Sequence, residues 1–325
     1  MPEWRNWYTR TTQNRVSQGM RVQVSPPAQM NKILVILGAT ATGKSDLAVT
    51  LAKKFNGEVI SADSRQVYKG LDIGTGKIIT EEMQGIKHHM LDVVDPNETF
   101  TVAEWQKQTE EIIEKIQHKN MLPIICGGTG FYIQAIVEGL VLPTVPPDEK
   151  LRLELESKSL EDLQKILNDL DPERFLNIDT KNKVRLVRSI EIAKALGIVP
   201  KISKVDSKYE ILQIGLKMED DNLKARINKR VTARIEKGMV LEAENLHKNG
   251  LSYERMKELG LEYGLMASLL KNEITEKEFI EKLEKEIWQY ARRQNTWFKR
   301  DARIKWFNQS DVDGIEAEVK MFLTE

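Results

Sequence analysis

The apolar run ILVIL leads directly into GATATGKS, Gly38–Ser45, which fits G-x-x-x-x-G-K-[ST] placed after a strand and before a helix. That pattern can cradle an oligophosphate. Gly38 and Gly43 let the backbone turn tightly around an anion, with Thr40, Ala41 and Thr42 between them, and free N–H groups at the helix start point inward. Lys44 brings a mobile positive charge to the outer phosphates, and Ser45 offers a hydroxyl to Mg²⁺. The bland alternative is a glycine turn followed by a chance lysine. Holding phosphate does not say what becomes of it. A P-loop NTPase usually carries an apolar strand ending in Asp that positions the metal, whereas the comparable strand here, MLPIIC, ends in GGTG.

A carboxylate follows the next strand, in SADSRQVY. Asp63 there has three chemical jobs open to it: water-mediated Mg²⁺ ligand, general base, or acceptor for a substrate amine. Its structural alternative is a helix cap, a role that Asp63 and Ser64 both suit. Asp92 and Asp95, in LDVVDP, are weaker candidates of the same kind. In GGTG, Thr129 can donate a hydrogen bond to a phosphate oxygen as charge develops, or cap the helix FYIQAIVEG. His88 and His89 lack the spacing and acidic companions of a metal site, so satisfied structural histidines suffice to explain them.

Three basic stretches lie further on: KNKVRLVR (Lys181, Lys183, Arg185, Arg188), RINKRVTAR (Arg226, Lys229, Arg230, Arg234) and YARRQNTWFKRDARIKW. The third sets Arg292, Arg293, Lys299, Arg300, Arg303 and Lys305 among Tyr290, Trp297, Phe298 and Trp306. Arginine forks grip phosphates and flat rings stack on unpaired bases, so this mixture suits single-stranded or looped RNA better than duplex DNA. Wet helix faces and core aromatics are the ordinary alternative.

These residues need a scaffold. Strand, loop and helix alternate from Asn31 to about Val141, the pattern of a P-loop NTPase-like α/β fold, a doubly wound parallel sheet with its ligand site at the C-terminal strand ends. The expected division is an α/β core over 31–141 and a small helical insertion over 142–207, opened by Pro143, Pro146 and Pro147. The remainder, 208–325, begins with a strand, YEILQIGLKM, that rejoins the sheet and continues as helices. The strand Met90–Val94 and the helix Phe100–Gln117 are further expectations. Residues 1–30 show no strand or helix period and no signal-peptide h-region. They read as a disordered extension or upstream read-through with initiation at Met30, an organellar presequence fitting less well.

Bulk composition narrows the class. Over 325 residues, Lys+Arg and Asp+Glu both number 49, which argues against an indiscriminate polycation but leaves local basic surfaces open. Hydrophobic residues at 41% suit a globular core. The single cysteine, Cys126, excludes an intrachain disulfide and disfavours a structural zinc site. No apolar run reaches the ~20 residues of a membrane span. The expectation is a cytoplasmic monomer without a membrane partner.

Together these motifs resemble the tRNA dimethylallyltransferase (tRNA isopentenyltransferase) family in its bacterial, short form. The resemblance rests on GATATGKS, SADSRQVYKGLDIGTGK, HHMLDVVDP, GGTGFYIQA, LPTVPPDEKLR, RFLNIDTKNKVRLVRSIEIAKALG, QIGLKMEDDNLKARINKRVTARIEKGMVLEAENL and QYARRQNTWFKRD, and spans Asn31 to about Phe307. It implies transfer of the dimethylallyl group of dimethylallyl diphosphate to N6 of adenine 37 of tRNA, with Mg²⁺. It implies further that Asp63 accepts the N6 proton and that Thr129 lies near diphosphate and tRNA. By the same resemblance Arg230 stabilises the diphosphate, and Asp63, Ser64, Arg65 and Gln66 meet the target base. Arg152 and the Lys183–Val187 stretch, with Arg185, match tRNA contacts, and Arg188, Arg292 and Arg293 belong to the same expected surface. Two departures stand out. LGLEYG, Leu259–Gly264, replaces a GYKE-like sequence, and the eukaryotic type with an added zinc-finger tail is not matched. The rivals are a P-loop kinase, an isopentenyltransferase acting on free adenine nucleotide, and a non-catalytic RNA-binding module. Release of ADP marks the first, and the long arginine-rich C-terminus speaks against the second.

Overall fold

The computed structural model describes residues 31–325, so the expectations for 1–30 fall outside the described residues. The chain begins with β1 (Lys32–Gly38), α1 (Lys44–Lys54), β2 (Gly57–Ala62), the single turn α2 (Thr80–Met83) and β3 (His88–His89). Then follow α3 (Val102–Gln117), β4 (Leu122–Gly127) and α4 (Gly130–Val137). A short pair, β5 (Leu140–Val141) and β6 (Ser203–Lys204), brackets α5 (Glu149–Glu156), α6 (Leu160–Leu170), α7 (Pro172–Leu176) and α8 (Lys183–Leu196). After β7 (Glu210–Lys217) come α9 (Asp220–Glu236), α10 (Met239–Lys248), α11 (Tyr253–Leu259), α12 (Leu261–Leu270) and α13 (Glu276–Phe298). The chain closes with β8 (Lys305–Asn308) and α14 (Val312–Thr324).

Six strands form one sheet in the order β3-β2-β4-β1-β7-β8, every pairing parallel. β1 lies inside it, and its unbroken apolar run follows from cover on both faces. Alternate residues divide between two cores. Ile33, Val35 and Leu37 join the helices of the C-terminal half, while Leu34 and Ile36 meet Leu47, Ala48 and Leu51 of α1 and Ile315 and Val319 of α14. Each such buried Ile or Leu contributes roughly 1.5–3 kcal/mol relative to exposure.

Parallel pairing has one decisive consequence for function. β2, β4 and β1 are neighbours and end on the same edge, with Ala62 beside Gly127 and Leu37 on Gly127's other side. The segments after them, Asp63–Gln66, Gly128–Thr129 and Ala39–Gly43, therefore converge although they lie far apart in sequence. The close approach has a steric condition at the end of β1. Gly38 has φ 143°, and a Cβ there would lie 2.6 Å from the Leu216 carbonyl oxygen.

The helix of the second βα unit starts at Val102, two residues later than the expected Phe100. Thr101 caps it, its hydroxyl accepting from the Glu104 N–H while the Glu104 carboxylate accepts from the Thr101 N–H. Trp105 is buried, donates from its indole to the Ser61 carbonyl at 3.1 Å, and stacks on Tyr132 with ring centroids 4.6 Å apart. The strand expected at Met90–Val94 lies earlier, at His88–His89. Met90 and Asp92 adopt positive φ (61° and 54°), which breaks the extended chain, and only Val94 makes a lone bridge to Tyr68.

Helices α5–α8 hold a small core of their own: Leu155, Leu163, Leu167, Leu186 and Ile190 are all fully buried. Spacing explains it, because Leu163 and Leu167 lie four residues apart on one face of α6, as Leu186 and Ile190 do on α8. Among the described residues no helix is long and apolar enough to cross a membrane.

Candidate active site

The P-loop wraps a space at the sheet edge. Ala41 (φ 63°) and Gly43 (φ 89°) take left-handed conformations, and Gly43 is the N-cap of α1. The buried Thr42 hydroxyl donates to the Ala39 carbonyl at 2.9 Å, and Lys44 Nζ donates to the same oxygen at 2.6 Å. That carbonyl is the lysine's single hydrogen-bonding partner among the described residues. Burial, and then the charge of Arg230, pull the Lys44 ammonium down to about 8, although Cys126 and Asp63 act in the opposite direction. The group is thus poised to gain from an arriving anion.

The facing wall comes from α9, where Arg226, Arg230 and Arg234 recur every four residues and share one helix face. Their commitments differ. Arg226 donates to the Gln309 side-chain oxygen, while Arg234 donates to the Gly74 carbonyl at 2.7 Å and pairs with Glu262 at 3.1 Å. Arg230 makes no hydrogen bond or ion pair to protein among the described residues. Burial, followed by its two guanidinium neighbours, depresses its pKa, so it sits as an uncompensated cation beside the P-loop. P-loop, Arg226, Arg230, Thr75 and Gly76 line a cavity of about 260 Å³.

Asp63 stands where this cavity meets a smaller one of about 110 Å³; Thr40, Ala41, Asp63, Thr75, Arg230 and Tyr290 border both. The smaller space adds Ser64, Arg65, Ile227, Leu261 and Ile287, an apolar patch next to charged groups. One carboxylate oxygen of Asp63, Oδ1, accepts from the Arg65 N–H (2.8 Å) and the Gln66 N–H (3.3 Å). No helix starts directly after Asp63, so these bonds brace a turn instead of the expected helix cap, and they occupy one oxygen. Among the described residues Oδ2 takes no protein hydrogen bond. Thr129 occupies the N-cap position of α4 without capping it; its hydroxyl accepts from the Ser64 N–H at 3.0 Å instead. Tyr290 of α13 lines both spaces, its hydroxyl held well above its ordinary value by burial and then by the Asp63 charge.

The loop Leu71–Lys77 forms the rim and is held from both ends. Glu242 accepts from the N–H groups of Asp72, Ile73 and Gly74 at 3.1, 2.7 and 2.9 Å and from the Tyr263 hydroxyl at 2.6 Å. The buried Lys77 ammonium ties Asp72, Asp92 and the Tyr68 carbonyl together. Tyr263, in the divergent LGLEYG stretch, thus supports the site from behind. Asp92 belongs to this brace, and Asp95 accepts from Asn97. His89 meets Glu58 at 2.6 Å and His88 meets the Ile86 carbonyl, both outside the cavity.

Other sequence candidates lie elsewhere. Arg152 makes two hydrogen bonds to the buried Glu191 (2.9 and 3.1 Å), and Arg188 donates to the same carboxylate and to the Val145 carbonyl. Lys183 Nζ donates to the Glu156 and Lys158 carbonyls at the end of α5. Arg185, Arg292 and Arg293 are exposed. Of the basic residues in RINKRVTAR, read as one basic surface, only Lys229 is exposed; Arg226 and Arg230 line the larger cavity and Arg230 and Arg234 the smaller one. Sequence reasoning did not reach Arg226 and Arg234 as cavity residues, nor Tyr290, Thr75 and Gln294. The four-residue arginine spacing was the available signal for the first two, but their direction depended on which face of α9 packs inward.

A P-loop, a guanidinium without a protein partner among the described residues and a half-buried carboxylate meet at one parallel-sheet edge, an arrangement suited to an oligophosphate-dependent group transferase. The "IPP transferase" family model matches residues 66–301. The chain is 39% identical over 87% of its length and 92% of the relative's to the tRNA dimethylallyltransferase of Halalkalibacterium halodurans. The crystal structure of the full-length tRNA isopentenylpyrophosphate transferase from Bacillus halodurans superposes with TM-score 0.69 at 36% identity, covering 90% of this chain and 97% of that one. A eukaryotic dimethylallyltransferase acting on tRNA gives TM-score 0.72 at 27% identity over 87% of this chain and 75% of its own. The chain belongs to the tRNA dimethylallyltransferase family.

Proposed function

We propose that this protein transfers the dimethylallyl group of dimethylallyl diphosphate to N6 of adenine 37 in tRNA and releases diphosphate. One observation carries the reading: the unpartnered Arg230 and the P-loop lysine face a common cavity that opens, past Asp63, into a partly apolar space. An allylic C1–O bond breaks heterolytically when its leaving group can absorb charge. Lys44, Arg230 and the P-loop amides of Gly38–Ser45 stabilise that charge more in the transition state than in the bound donor.

A free exocyclic amine is too weak an acid for Asp63 to deprotonate beforehand. The amine becomes acidic as the N–C bond forms, and the unengaged Asp63 Oδ2 accepts the proton then. Thr129, anchoring Ser64, holds the Asp63–Gln66 turn against the substrate. Adenine leaves its stack to reach this depth, which a loop permits more cheaply than a duplex. Arg152, Lys183, Arg185, Arg188, Arg292 and Arg293 supply the outer tRNA surface, and the enzyme works as a cytoplasmic monomer.

Mg²⁺ suits the donor set. Among the described residues no group of three His, Cys, Asp or Glu could hold a metal alone, so substrate phosphates and water would complete its shell. Ser45 would hold it directly, with Asp46 and Asp63 nearby in the same cavity. The ion would neutralise charge on the departing diphosphate.

Incubating the protein with Mg²⁺, dimethylallyl diphosphate and unmodified tRNA containing adenine 37, then weighing the nucleosides, tests the reading; N6-dimethylallyladenosine is the expected product. ADP and a phosphorylated product from ATP, with no prenylated nucleoside, would identify a kinase instead. Asp63→Asn should retain donor binding and lower single-turnover rate by about 10²–10³-fold.

A further inference from the structure

Gln294 sits in the stretch QYARRQNTWF, whose charges and rings suggest contact with RNA, yet its side chain points the other way. It is 6% exposed, and both ends of its amide are committed. The oxygen accepts from the Thr40 N–H of the P-loop at 2.8 Å, and the nitrogen donates to the Gly128 carbonyl of GGTG at 2.9 Å. The partners dictate the orientation, because a backbone N–H can only donate and a carbonyl can only accept. The fit is tight: a Cβ on Gly128 would lie 2.2 Å from the Gln294 nitrogen, and one on Gly130 would lie 2.4 Å from the Trp297 ring. One face of α13 is thus wedged between the loops that carry Lys44 and Thr129, while Arg292 and Arg293 stay exposed on its outer side.

We propose that Gln294 is a positioning residue that sets the phosphate-binding loop against the Thr129 loop and so fixes the donor cradle from the RNA-facing helix. The inference rests on the transfer reading above and assigns Gln294 to the donor side rather than to tRNA contact. Without its amide, the Thr40 N–H loses its acceptor and the Gly128 carbonyl its donor, and the two loops lose the only side chain among the described residues that bonds to both.

The test compares wild type with Gln294→Met, which keeps length and bulk, in tRNA prenylation and in titration with inorganic diphosphate plus Mg²⁺. The expected result is a diphosphate Kd and donor KM raised about tenfold and kcat lowered about ten- to a hundredfold, the scale set by orphaning buried polar groups. The tRNA KM should stay within about twofold of wild type, since no tRNA contact is removed by this reading. Gly128→Ala, which crowds the amide, should reproduce the loss in wild type and add nothing in a Gln294→Ala background. Raised tRNA KM with unchanged diphosphate binding would overturn the proposal, as would a lowered Tm with unaltered diphosphate Kd and kcat. A wild type that binds diphosphate but leaves tRNA unmodified would overturn the transfer reading alone, and the diphosphate titrations would still judge Gln294.

Discussion

The phosphate cradle and the helical segment α5–α8 both collect arginines, and they treat them in opposite ways. Among the described residues, Arg230 on α9 has no protein anion, and Lys44 bonds only a carbonyl. In the helical segment, Arg152 and Arg188 converge on Glu191, whose side chain is 1% exposed and which also accepts from the Asp148 N–H. Burial opposes ionisation of Glu191, but hydrogen bonds from Arg152, Asp148 and Arg188 outweigh it and hold the carboxyl below its ordinary value. An uncompensated buried cation is costly and persists where a ligand supplies the missing charge, whereas a compensated cluster serves the fold. Identical residue types are thus left without a protein anion in one region, among the described residues, and neutralised within the fold in the other.

The largest effect should come from the cradle. Arg230→Ala is expected to lower kcat/KM by about 10²–10³-fold with little change in Tm, because its guanidinium makes no hydrogen bond or ion pair to protein among the described residues. A large fall in Tm without a kinetic defect would break the contrast. In the helical segment, Glu191→Ala should cost about 3 kcal/mol, measured by denaturant unfolding, with the diphosphate Kd unchanged. The acid dependence follows from the sign of the shift. Glu191 has a depressed folded pKa, so its contribution is complete above the unfolded value of 4.5 and disappears as pH falls through the lower folded value.

A direct challenge is Arg152→Ala. If the Glu191 cluster is a joint, this change lowers stability more than tRNA affinity. A tenfold loss of tRNA binding at constant Tm would show that the guanidinium serves both. The smallest effect concerns Lys44. Its ammonium is charged below about 8 in the free protein, so the donor's 1/KM should fall as pH rises through that value and stay level below it. A pH profile flat to 10 would mean that the lysine keeps its proton.

Much of the site was legible in the residues themselves. GATATGKS announces its own conformation, because glycines, a lysine and a helix start leave few alternatives, and DSRQ and GGTG each follow an apolar run. Parallel strands then place all three on one edge without any long-range information. Two things were not legible. Helix α9 reads as a basic surface because spacing shows that three arginines share a face but not which neighbour that face meets. The Gln294 amide is similarly mute: a glutamine among arginines and aromatics looks like one more RNA contact until two backbone partners, Thr40 and Gly128, are found at its ends.

The division has a physical cause. Local steric preference and apolar periodicity belong to the chain, and they determined the phosphate loop, the sheet and its active edge. Whether a charge is neutralised or left waiting depends on groups brought close by packing, dozens or hundreds of residues away, and only the tertiary structure decided that.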